Sequence, residues 1–178
     1  MRNIFSVTFI LVLLSCTSLH RTTSKIKYRI VPDEKTKVLK GVINRSIIES
    51  DTAFAWFKEN MKWGQADSSA ITSFQKNKDK FTLLVFGGTW CHDTQNLWPI
   101  FYRLIDKSGY PEKNITLIAV DRKKKTLYKL SKKYRITNVP TFIVLAKGKE
   151  VGRVVEYGKY SAIAVSYTHL TLPTILRV

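Results

Sequence analysis

Apolar residues fall in two patterns along this chain, continuous short runs and helical stripes, and their alternation predicts an α/β order. Lys37–Asn44 (KVLKGVIN) alternates as a short strand, and Ser46–Trp63 carries Ile47, Ile48, Phe54, Phe57 and Met61 at near-helical spacing up to Gly64. Asp67 reads as the cap of a helix through Asn77, with Ala70, Ile71 and Phe74 inward. Phe81–Phe86 (FTLLVF) and Ile115–Val120 (ITLIAV) are nearly unbroken apolar runs, the mark of strands covered on both faces. Between them, Cys91–Lys107 predicts a helix with Leu97, Ile100, Phe101, Leu104 and Ile105 as its stripe and a kink at Pro99. Thr126–Tyr134 predicts a basic amphipathic helix burying Leu127 and Leu130. Thr141–Leu145 and Val151–Val155 flank a turn at Lys147-Gly148-Lys149, a closing hairpin. The order strand–helix–strand–helix–strand–strand describes a mixed sheet in one domain.

The two ends stand apart from this body. Arg2, the apolar run Ile4–Leu14 and small Ser15 have the order of a secretory signal over 1–15. Leu13-Leu14-Ser15-Cys16 resembles a bacterial lipoprotein cleavage box, which implies lipidation of Cys16 and anchoring on a membrane without spanning it. The competing reading is a plain cleaved signal with an incidental cysteine. Polar, basic residues over 16–36 read as a tether, and residues 37–164 as the folded domain. VSYTHLTLPT (Val165–Thr174) resembles the translation of a transposon-end adapter used in DNA library preparation, so 165–178 is expected to be an artificial tail rather than a natural strand.

Charge narrows the partners. The 178 residues hold 30 Lys and Arg against 13 Asp and Glu, still strongly basic once Arg2 and Arg177 at the ends are set aside. Eight cations fall within Arg122–Arg135 (RKKKTLYKLSKKYR). An exported protein rarely meets nucleic acid, so an anionic membrane surface or an acidic partner fits better. The plainer explanation is a solvated helix face that aids solubility. Cysteine usage is sparser still: with Cys16 acylated or near the cleavage point, Cys91 is the one free thiol expected in the mature domain.

Cys91 falls at a strand-to-helix junction, in Gly87-Gly88-Thr89-Trp90-Cys91-His92-Asp93-Thr94. Free amides and the positive helix end favour a thiolate there. A protonated His92 would add to this and Asp93 oppose it. Such a thiolate attacks a disulfide sulfur and forms a mixed disulfide. Trp56, Trp63 and Trp98 read as packing, whereas Trp90 adjoins the thiol as the lip of a groove. Asp121 reads as a strand-end or cap residue. Cys91-His92-Asp93 is a poor metal site, since three adjacent side chains do not readily converge, and an equally poor Cys-His hydrolytic pair.

Over about residues 45–160 the sequence resembles the thioredoxin family, through Thr89-Trp90-Cys91 after a buried strand, Pro99 within the next helix and Val139-Pro140-Thr141 before the third strand. The resemblance implies a thioredoxin-like three-layer α/β/α fold with a central mixed sheet. It also implies a cis Pro140 whose loop, Val139 to Thr141, binds extended substrate backbone beside the active cysteine. This chain departs from the family pattern twice. Thr94 occupies the place of the second cysteine, although it could still hydrogen-bond the Cys91 sulfur, and Val85 stands where typical members bury an acid.

Three readings follow. The first is a single-thiol protein that forms mixed disulfides with envelope proteins or a small thiol, resolved from outside, with Cys91, His92 and Thr94 at its centre. The second is a non-catalytic binding module using the surface around Trp90, His92 and Pro140. The third is a cysteine that merely packs. None of them calls for a cofactor, a metal or nucleic acid. All place the protein in the cell envelope, facing the periplasm or the surface.

Overall fold

A computed structural model describes residues 28–157. The signal expected over 1–15, Cys16, and the tail expected over 165–178 lie outside the described residues. Six strands form one sheet in the order β1-β2-β4-β3-β5-β6. They are β1 Tyr28–Val31, β2 Val38–Ile43, β3 Thr82–Gly87, β4 Ile115–Ala119, β5 Thr141–Ala146 and β6 Lys149–Val155. β3 and β4 run parallel and the other neighbours antiparallel, so the sheet is mixed as expected. β1 corrects the tether reading: residues 28–31 pair antiparallel with 38–41, at a sheet edge where half-exposed side chains leave no apolar run to see.

The helices are α1 Arg45–Ser50, α2 Ala55–Trp63, α3 Ser68–Asn77, α4 His92–Ser108 and α5 Leu130–Lys133. The single helix expected over Ser46–Trp63 is two, joined by a 3₁₀ turn at Thr52–Phe54. Asp51 causes the break. Its extended backbone ends α1, and its carboxylate accepts the Ala53 N–H and pairs with Lys37 at 2.5 Å. Short polar side chains such as this one offer the backbone an alternative to continuing the helix. Asp67 caps α3 as its sequence suggests, accepting the Ser69 and Ala70 amides.

β3 is the hinge of the core. Leu83 and Val85 face a cluster with Phe57, Phe74, Leu97, Trp98 and Phe101, covered by α1 to α4. Phe86, on the other face, packs with Ile118, Val120, Ile136, Val139 and Ile143. That second face is covered by residues 127–136, but not by the expected amphipathic helix. Leu127–Lys129 is a 3₁₀ turn, α5 has only four residues, and Tyr128 and Lys129 have φ of 56° and 54°. In one continuous helix, Lys129 would meet Lys125, Lys132 and Lys133 at three- and four-residue spacing, where like charges repel. Leu127 and Leu130 are half-buried rather than buried.

α4 continues through Pro99. Proline lacks the N–H that would bond the Gln95 carbonyl. Asn60 on α2 fills the gap, its Nδ2 donating to that carbonyl at 3.0 Å. The helix stops at Gly109, whose φ of 62° suits glycine.

Candidate functional site

The site forms where β3 turns into α4. Cys91 is the N-cap of α4, with φ −90° and ψ 125°, and its N–H donates to the Gly88 carbonyl at 2.8 Å. The first-turn amides of α4 therefore begin immediately after the sulfur-bearing residue. N–H groups at a helix start lack intrahelical acceptors and carry the positive end of the dipole. Cys91 is half-buried, and its Sγ donates to the Val139 carbonyl at 3.3 Å. The Val139–Pro140 bond is cis, as the resemblance implied. Two chain segments 48 residues apart thus meet at one sulfur.

The expected sulfur partner Thr94 is engaged elsewhere. Its side chain is fully buried, and Oγ1 accepts the Gly88 N–H at 3.2 Å. No hydrogen bond joins Thr94 to the Cys91 sulfur among the described residues; the thiol itself donates to the Val139 carbonyl. Val85 is also fully buried, so the core beneath the site is aliphatic at that position. His92 is exposed at the helix start and Asp93 half-buried. Thr141 is buried, with Oγ1 donating to the Asn138 carbonyl at 2.7 Å and its backbone paired opposite Phe86. Pro140 is buried, and its carbonyl accepts the Glu156 N–H at 2.7 Å. Among the described residues no three His, Cys, Asp or Glu side chains gather as a metal site.

Trp90 is held on two sides. Its Nε1 donates to the Val120 carbonyl at 3.0 Å, and the Arg122 guanidinium lies 5.4 Å from its ring centroid. Arg122 is itself held by both oxygens of Asp33, which follows β1. That guanidinium hydrogen bond keeps the Asp33 carboxyl well below the usual carboxylate range, against the opposing effect of desolvation. A Cβ on Gly88 would lie 2.6 Å from the indole, so glycine permits this ring position.

Several contributors escape a reading of sequence alone. Thr89 is fully buried and ties the loop to β2, donating to the Lys37 carbonyl at 2.8 Å and accepting the Leu39 N–H at 3.2 Å. Gln95 Nε2 braces the Thr89 carbonyl at 2.9 Å. Tyr157 reaches the start of α4 from beyond β6. Burial raises its phenol above the ordinary range, a hydrogen bond with Asn96 opposes this, and the Asp93 and Cys91 charges add to the rise. Asp121 is more than a cap: burial would raise its carboxyl, but Lys40 at 2.6 Å and the Lys125 N–H outweigh it and hold it low. Nothing in the local pattern around Thr89 or Tyr157 marks these contacts, because their partners are distant in sequence.

Comparison with known proteins bears on the family and the fold. The sequence model of the family named Thioredoxin matches residues 66–167. The chain is 30% identical over 92 residues to the chloroplastic Thioredoxin Y of Oryza sativa subsp. japonica, covering 50% of this chain and 52% of that protein. It is 25% identical over 80 residues to Thioredoxin H2 of Arabidopsis thaliana, covering 45% and 56%. The chain therefore spans about half the length of the curated relatives it matches. Among solved structures, the reduced thioredoxin pre-protein of Schistosoma mansoni shares 30% identity over 51% of this chain and 80% of that one, with a TM-score of 0.35. A Pseudomonas aeruginosa protein of unknown function shares 20% over 65% and 72%, with a TM-score of 0.46. At these scores the assignment rests on the match over residues 66–167.

Proposed function

The chain belongs to the thioredoxin family, and from that premise we propose that it performs thiol–disulfide exchange through Cys91 alone. The observation that carries this is the placement of Cys91 at the head of α4 with Sγ 3.3 Å from the Val139 carbonyl, beside the cis Val139–Pro140 bond. A client's extended backbone would meet the site at the Val139 carbonyl, with Trp90 as the rim, while buried Pro140 and Thr141 hold that loop in place. The Cys91 thiolate attacks one sulfur of the client disulfide. A new S–S bond joins Cys91 to the client, the old S–S bond breaks, and the departing sulfur leaves as a thiolate that takes up a proton from water.

No net oxidation occurs in that step. Thr94 offers a hydroxyl where a second thiol would attack, so the intermediate waits for a thiol of another molecule or a second cysteine of the client. That incoming thiolate forms its own disulfide with the client and releases the Cys91 thiolate. Isomerase-like rearrangement and removal of small thiols from proteins both have this stoichiometry. Thr94, through Gly88, and the exposed His92 shape the sulfur's surroundings.

A small symmetric disulfide such as dithiodipyridine tests the step. Intact mass should show one adduct per chain, mapped to Cys91, reversed by dithiothreitol and absent from Cys91→Ser. An unreactive Cys91 in the folded protein would overturn the proposal. It would leave the other two readings, a docking module or a cysteine that merely packs, both compatible with the buried Val85 and Thr94.

The proposed setting is the cell envelope, with a lipid anchor at Cys16 and clients that bear reactive cysteines. The charged, apolar and small segments at the start of the chain support it. Palmitate labelling in a bacterial host should yield a labelled chain, lost in Cys16→Ser. Labelling unaffected by that substitution, or none at all, would remove the anchor.

A further inference from the structure

Residues 122–135 carry eight cations and no acidic side chain. Arg122 is paired with Asp33. Among the described residues, Lys123, Lys124, Lys125, Lys129, Lys132 and Lys133 form no ion pair, and five of these six are exposed, Lys124 being half-buried. Both ends of this strip are attached to the thiol's surroundings. At its start Val120 accepts the Trp90 indole N–H, and past its end Val139 accepts the Cys91 thiol. In between, Leu130 and Tyr134 pack into the same apolar cluster as Trp90 and Cys91. Among the described residues, this run of unpaired cations therefore adjoins the elements that hold Cys91 and Trp90.

Resting on the exchange reading above, we propose that this strip selects the client: a polypeptide with acidic residues flanking its reacting cysteine. Two features favour a polypeptide over a lipid surface. An amphipathic membrane-binding segment needs a continuous apolar face opposite its charges. Here the strip is a 3₁₀ turn and a four-residue helix, with Leu127 and Leu130 turned partly into the domain. A bilayer on the strip would also cover the mouth of the thiol it adjoins. The irregular backbone spreads the lysines: Lys124, Tyr128, Lys129 and Arg135 all have φ between 51° and 56°, so the ammonium groups do not share one helix face. Their summed field extends about 10 Å at 0.1 M salt, beyond the range of direct contact with a client.

The test uses the full chain with Cys91→Ser and labelled peptides in which serine replaces the client cysteine, flanked by glutamates or by lysines. Fluorescence anisotropy at low salt should show the acidic peptide binding at least ~10-fold tighter, the preference shrinking in ~0.5 M salt as screening shortens. Combining Lys125→Glu, Lys129→Glu and Lys132→Glu should abolish the preference, with circular dichroism checking the fold. Combining Lys76→Glu, Lys78→Glu and Lys80→Glu makes the same change in net charge before the other end of β3, about 20 Å away, and should preserve it. Equal affinities, or equal losses in both variants, overturn the proposal. So does strip-dependent sedimentation with phosphatidylglycerol vesicles when the peptides show no charge preference. The reaction of the chain retaining Cys91 with neutral dithiodipyridine reports separately on the exchange chemistry, so failure there leaves the peptide result readable.

Discussion

Thr94→Cys should shorten the life of the Cys91 mixed disulfide by at least ~100-fold in the absence of added thiol. The Thr94 side chain lies one turn along α4 from Cys91, and both residues bond to Gly88: the Cys91 N–H to its carbonyl and Thr94 Oγ1 to its N–H. A thiol there would meet the Cys91–client bond as an intramolecular nucleophile. Well-oriented groups of this kind act at effective concentrations far beyond any added millimolar thiol. On the proposed single-thiol exchange, the attack would leave an internal disulfide between Cys91 and the introduced thiol and free the client as a thiol, so the variant would reduce a client that the parent is proposed to hold. Sulfur accepts hydrogen bonds weakly, so the Gly88 N–H loses most of its partner, at about 1 kcal/mol. Time-resolved intact mass after a stoichiometric pulse of disulfide probe reads the lifetime. An unchanged lifetime in a folded variant would mean that position 94 does not face the reacting sulfur.

Gly87→Ala should lower stability by about 3 kcal/mol, near the upper end for overpacking, and reduce Tm by roughly 10 °C for a domain of this size. A Cβ at position 87 would stand 2.2 Å and 2.4 Å from two atoms of the Trp98 indole and 2.7 Å from Thr94 Cγ2. Trp98 is fully buried and cannot swing into solvent. Relief therefore requires movement of α4 against β3, the junction that places Cys91. Thermal unfolding followed by circular dichroism measures the cost, and a Tm within ~2 °C of the parent would show that the core has room to yield. The glycine is a matter of space rather than of backbone freedom.

Elements with long apolar runs were legible without coordinates. β3, α4, β4 and the closing hairpin lie within a residue or two of their expected bounds, because strands covered on both faces leave a compositional mark. The cis bond before Pro140 was legible only through the family resemblance. Three elements were not foreseen as they are. β1 is too exposed to leave a run, Asp51 divides what looked like one helix, and left-handed backbone at Tyr128 and Lys129 breaks the segment from 126 to 134. Periodicity registers which face is apolar. It is blind to a cap or a left-handed residue that stops the helix carrying that face.

At the site the same division holds. Trp90, Cys91, Val139, Pro140 and Thr141 could be named from short motifs. The contacts that hold them could not: Thr89 to Lys37 spans 52 residues, Arg122 to Asp33 spans 89, and Asn60 to Gln95 spans 35. The sheet brings the first two pairs together and the packing of α2 on α4 the third, and no local pattern encodes them.

Three features were settled by the order of residues before any folding: the described domain has one thiol, a threonine stands three residues after it, and fourteen consecutive residues carry eight cations. These are matters of covalent composition and hold in any fold. Folding in three dimensions was needed to direct Thr94 Oγ1 to Gly88 and the sulfur to Val139, and to lay the cationic strip beside the thiol. Pairing β3 between β4 and β5 carries residues 120 and 139 to the same edge of the domain as residue 91, and a chain's charges acquire a direction only once its strands are in register.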